Sequence, residues 1–180
     1  SAAVVWHIFS GVITEVDFNT SDPFAGDVDI GTMFSGFYGF DSNVLPNSGD
    51  ACQLVLSQCS WEFSVSPSQF QVTVGTTVIN VTNWFGITIT DESSPGRDSY
   101  GVSTGSGEVD IGDWSSAVKV VFQDASATAI DDPTKLILNT SDLYNFDRRR
   151  FGIVRSLNGC SGCDGVVFGR IDSITNVTVP

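Results

Sequence analysis

Histidine is the scarcest of the side chains that do chemistry. His7 is the only one in 180 residues, and it lies inside the apolar run Val4-Val5-Trp6-His7-Ile8-Phe9. Any Ser-His-Asp or Cys-His catalysis would have to run through it. A lone histidine on an apolar strand is by default a packed residue. The sequence has no Gly-x-Ser-x-Gly elbow and no phosphate-cradling glycine loop. Its 21 Asp and Glu would suffice for a glycosidase pair, but their spacing singles none out. The chain is expected not to be an enzyme.

The four cysteines form two close pairs, Cys52 with Cys59 and Cys160 with Cys163. A structural zinc needs about four Cys or His ligands at tighter spacing. A redox Cys-x-x-Cys belongs at a strand-to-helix junction of an α/β protein, a pattern absent here. Two local disulfides, Cys52–Cys59 and Cys160–Cys163, are therefore expected, which places the chain in an oxidising compartment. Loop carboxylates are natural calcium ligands. Asp27 with Asp29, Glu108 with Asp110, and Asp131 with Asp132 are the candidate donors, though none has the spacing of an EF-hand. A solvated acidic rim is the default, so no cofactor is expected, and calcium is the one ion these donors suit.

Binding has its own candidates. Trp84 and Trp114 adjoin turns and are candidate platforms for extracellular polysaccharide, whereas Trp6 and Trp61 sit in alternating strands and are expected in the core. Arg148-Arg149-Arg150 is the one basic run in a chain of net charge −13. It is either a solvated face or a docking patch for the acidic surface of a second copy. The net charge itself argues against nucleic acid and anionic membrane surfaces as partners. No apolar stretch reaches the ~20 residues of a spanning helix, so the chain is not expected to insert in a membrane. Asn-x-Ser/Thr sequons stand at Asn19, Asn80, Asn139 and Asn176.

The elements that must position these residues are strands. The chain has 18 Gly and 13 Phe, and Lys119 and Lys135 are its only lysines. β-branched and aromatic residues favour strands, and Gly, Asn and Asp favour the turns between them. Period-two alternation marks residues 12–18, 33–40, 61–65, 70–74 and 78–81, with further strands at 86–90, 108–111, 117–123, 135–138, 151–156 and 166–175. Residues 12–18 set Glu15 and Asp17 opposite the mostly apolar even positions. Only residues 140–146 suggest a helical turn. About eleven short strands without a linker predict one all-β domain over 1–180, an antiparallel β-sandwich of jelly-roll type.

The order of segments resembles a known family. Phe9-Ser10-Gly11-Val12-Ile13-Thr14-Glu15-Val16-Asp17 is similar to the opening strand of secreted bacterial PEP-CTERM surface proteins, and residues 28–41 are similar to their next segment. Residues 95–102 and the closing Phe168-Gly169-Arg170-Ile171-Asp172-Ser173-Ile174-Thr175 also match, so the resemblance runs through most of the chain in order. It implies a secretory signal before Ser1 and an exosortase-cleaved tail beginning at Val179-Pro180. It also implies a place at the cell surface or in the extracellular matrix. The expected function is a non-enzymatic structural protein that assembles with copies of itself into a filament. The alternative is a carbohydrate-binding module that retains matrix polysaccharide. For assembly, the segment carrying Val4, Trp6 and Ile8 is either the first strand of its own domain or a strand donated to the next subunit.

Overall fold

The computed structural model describes residues 4–17, 22, 24–45, 52–53, 58–64, 68–81, 83–92, 97–105, 109–111, 114–157 and 164–179. In chain order the elements are β1 (Val4–Asp17), β2 (Met33–Asp41), β3 (Cys52–Gln53), β4 (Gln58–Ser64), β5 (Gln69–Val74), β6 (Thr77–Asn80), β7 (Trp84–Glu92), β8 (Arg97–Thr104), β9 (Val109–Ile111), β10 (Trp114–Asp124), α1 (Thr140–Leu143), β11 (Arg148–Leu157) and β12 (Asp164–Val179). All the strands belong to one sheet in the order β3-β4-β7-β8-β10-β11-β12-β1-β2-β5-β6, with β9 beside β10. Every pairing is antiparallel. The chain is all-β, as its alternation implies.

Strand alternation gives the sheet an inner and an outer face. On β1, Val5, His7, Phe9 and Ile13 point inward. On β8, Asp98, Tyr100, Val102 and Thr104 do the same. Twist then brings the two ends of the sheet together. Phe40 of β2 lies 5.3 Å from Phe63 of β4, and Phe70 of β5 lies 5.7 Å from Phe85 of β7, ring centre to ring centre. The two halves thus pack face to face around one aromatic core while the hydrogen-bonded ladder stays continuous. Phe34 and Phe151, stacked at 4.5 Å, fill its middle.

Three expectations need correcting. Residues 135–138 form no strand. They follow Pro133 and lack alternation, and the loop lays Leu136 and Ile137 against the core while Asn176 Nδ2 donates to the Leu138 carbonyl at 3.2 Å. Trp6 is half-buried on the outer face, because its neighbours Val5 and His7 take the inner one. The phase of residues 12–18 also breaks: Ile13 continues the inward set of Val5, His7 and Phe9, and the bulge between Ile13 and Glu15 then turns Val16 toward the core.

The helical turn α1 is clasped to the sheet. Tyr144, just after it, donates its hydroxyl to the Ile174 carbonyl (3.0 Å) and accepts from the Ile174 amide (3.1 Å). Tyr144→Phe is expected to cost about 1 kcal/mol, since two backbone groups lose their partner at a half-exposed site. The cost would appear as a lower urea midpoint at unchanged slope; an unchanged midpoint would mean the clasp carries no stability.

Candidate functional site

Strands β10, β11, β12 and β1 lie side by side, and their outer faces form a groove of about 580 Å³. Lys119 and Val121 come from β10, Arg148, Arg150 and Val154 from β11, Phe168 and Arg170 from β12, and Glu15 from β1. Register explains their convergence. Val121 pairs with Arg150 and Arg150 with Arg170, while Lys119 pairs with Gly152 and Gly152 with Phe168. Neighbouring strands lie about 4.8 Å apart, so these side chains form two adjacent rows. The bulge after Ile13 brings Glu15 opposite Phe168.

Gly152 shapes the floor. A Cβ there would lie 2.9 Å from Cδ1 and 3.0 Å from Cε1 of Phe168, so only glycine lets the edge of that ring come so close to the sheet. Around the ring, five of the chain's eight Lys and Arg line the groove: Lys119, Arg148, Arg149, Arg150 and Arg170. Arg170 pairs with Asp172 at 2.7 Å, and Arg149 lies over the Tyr144 ring at 5.0 Å. Among the described residues, Lys119, Arg148 and Arg150 form no ion pair, in a chain with 21 acids. Arg150 and Arg170 stand directly opposite each other, an arrangement of like charges that destabilises a sheet.

Sequence reasoning singled out the arginine run and missed Lys119, Phe168, Arg170 and Glu15. The available signal was parity: Lys119 with Val121, Arg148 with Arg150, and Phe168 with Arg170 each alternate on one face of successive antiparallel strands.

The other candidates are scattered. His7 is fully buried, stacked on Tyr38 (4.9 Å) and near-parallel to Phe40 (5.8 Å). Neither of its nitrogens makes a hydrogen bond of good geometry. Burial pushes its pKa down to about 4, which the backbone of Ile137 offsets only in part. Asp27 accepts from the Thr76 hydroxyl (2.9 Å) and amide (3.3 Å) and so pins the β5–β6 turn. Asp29 is exposed. Asp110 lies on β9 opposite Ser115, and Glu108 lies outside the described residues. Asp131 is exposed, and Asp132 pairs with Lys135 at 2.9 Å. Among the described residues no three His, Cys, Asp or Glu side chains gather as a metal site.

The acid that sequence reasoning overlooked is Asp124, buried at the end of β10. Amides and hydroxyls of Thr128 and Ser126 hold its carboxyl down to about 2. This Asx-type loop is structural.

Cys59 is disulfide-bonded, and Cys52 stands opposite it in the β3–β4 ladder. Cys160 and Cys163 lie outside the described residues. Trp84 is exposed on the outer face, its ring extending alongside Gly86. Only the backbone of Trp114 is described, opposite Leu157 and Ile111.

No protein family, curated protein or solved structure matches the chain.

Proposed function

We propose that the chain is a non-enzymatic structural protein of the cell surface or extracellular matrix that associates with copies of itself through the outer face of β12, β1 and β2. The observation that carries this reading is a neutral apolar patch. Ile8 is 48% exposed and Val177 49%, and Trp6 packs edge-on against Phe37 at 5.6 Å. Register makes these residues neighbours: Trp6 pairs with Gly39 and Val177, and Ile8 with Phe37 and Thr175. The next outer positions toward β5 and the far end of β1 are Ser10, Ser35, Ser173, Gln69 and Gln71, all uncharged, and on the other side Val4 pairs with Asp41 at the margin of the patch. Exposed contiguous apolar surface marks interaction sites. Two copies that each carry −13 repel least where each presents little charge, which favours a second copy as the occupant.

Contact through a face replaces strand donation in this scheme. Strand β1, with Val4, Trp6 and Ile8, already has β12 on one side and β2 on the other. At one end of the sheet β6 is four residues long, and a short edge discourages further pairing. The extracellular setting draws on the low lysine content, the paired cysteines, with Cys59 disulfide-bonded and Cys52 opposite it in the ladder, and the resemblance to PEP-CTERM surface proteins.

Sedimentation of the full chain tests the reading. Association is expected to strengthen as salt rises from about 0.02 M to about 0.3 M, because salt screens the like net charges. It is expected to disappear in Ile8→Lys/Val177→Lys. A double variant that still associates like the parent would overturn the proposal.

A second reading, a carbohydrate-binding module using Trp84 with Trp114, is favoured by the exposure of Trp84 beside Gly86 and Glu62. Polysaccharide binding abolished by Trp84→Ala would support it.

A further inference from the structure

We infer that the groove over β10, β11, β12 and β1 is a binding site for an acidic saccharide, a sugar chain carrying carboxylates. The inference goes beyond the association reading and rests on different residues.

Three features of the groove converge on that ligand. The first is unspent positive charge. Lys119, Arg148 and Arg150 form no ion pair among the described residues, although acids outnumber bases 21 to 8 in the chain. Arg150 also faces Arg170 across the β11–β12 ladder. A carboxylate between two arginines relieves that repulsion and accepts charge-assisted hydrogen bonds from both.

The second is the floor. Phe168 lies on Gly152 with Val121 and Val154 beside it. A half-buried aromatic ring flanked by aliphatic carbon suits the C–H groups of a pyranose ring. A ligand that offered only charge would gain nothing from it.

The third is the presence of acceptors among the cations. Glu15, opposite Phe168, and Asp147 also line the groove. They repel a multiply charged phosphate and accept hydrogen bonds from sugar hydroxyls, while Thr14 and Gln123 add neutral polar partners. The volume, about 580 Å³, lies within the usual range for small-molecule sites. The net charge of −13 acts against a long polyanion at a distance, but beyond about 8 Å it is largely screened at physiological salt. Short carboxylated segments are therefore the preferred form.

Titration calorimetry of the full chain with tetragalacturonate is the test. Binding is expected, with affinity falling about tenfold or more for the methyl-esterified tetrasaccharide and for Arg148→Gln/Arg150→Gln. Phe168→Leu is expected to weaken the tetragalacturonate roughly threefold or more while leaving any binding of poly-glutamate unchanged. Trp84→Ala is expected to bind like the parent. The arginine variant should melt no lower than the parent, because it removes the Arg150–Arg170 opposition, so lost binding would not be lost folding. Four results would each overturn the inference. These are no binding of tetragalacturonate, equal binding of its ester, no effect of Phe168→Leu, and an oligonucleotide or poly-glutamate binding as tightly as the sugar acid. The last would make the groove a general anion or acidic-protein patch.

Discussion

Asp22→Ala is expected to destabilise the fold by about 3–5 kcal/mol. The Asp22 carboxylate and the Arg155 guanidinium meet at 2.6 Å, and both side chains are fully buried. Arg155 lies on the inner face opposite Ser116, with its guanidinium 4.2 Å over the Phe24 ring. Asp22 also accepts the Phe24 amide at 2.9 Å, so one carboxylate holds both the turn and the cation. Burial lowers the Arg155 pKa to about 10, with Asp22 opposing the shift, so the group stays charged at neutral pH. Removing the carboxylate would take a 2.6 Å ion-pair contact from a cation that stays in the core. Replacing both partners with apolar residues, Asp22→Leu with Arg155→Met, should recover most of the loss, because desolvating the pair consumes much of its attraction. Urea denaturation of the two variants and the parent measures both effects. A single variant within about 1 kcal/mol of the parent would show that the pair does not stabilise the core.

The second large effect is acid sensitivity through His7. Its folded pKa of about 4 lies below the ordinary 6.5, so between those values the unfolded chain binds a proton that the folded chain refuses. Stability is therefore complete above pH ~6.5 and falls as the pH drops toward ~4. The total loss is roughly 3 kcal/mol for a shift of this size. Asp124 acts in a different window. Its carboxyl, held down to about 2, contributes stability that is lost only as the pH falls from about 4 toward about 2. Asp98 has the opposite sign. Burial raises its pKa, so acidification favours its folded form. Comparison with His7→Phe isolates the histidine, since the carboxyl contributions are common to both proteins and phenylalanine keeps the stack on Tyr38. The parent should lose about 3 kcal/mol more than the variant between pH ~7 and ~4. Parallel stability curves over that range would refute the role.

The alternation of small, β-branched and aromatic residues was enough to determine the fold class and most of the inner face. Phe34, Tyr38 and Phe40 face inward as their spacing requires, and so do Trp61 with Phe63 and Phe70 with Val72. A period of two is a property of the strand itself, so neighbours along the chain suffice to reveal it. The arginine run was legible for the same local reason. Position in the sheet was not local. The order β12-β1-β2 puts the first and last strands side by side, and only that pairing brings Glu15 against Phe168 and Ile8 against Thr175. The change of phase after Ile13, which turns Val16 toward the core, likewise depended on a bulge, an insertion in the ladder between two strands that leaves no mark on either strand alone. Burial decided the rest. His7 and Arg155 have side chains that usually reach water, yet tertiary packing encloses both, one beside the Tyr38 and Phe40 rings and one against Asp22. Composition determined that this chain would form strands. The register between distant strands decided which of its few cations would share a groove.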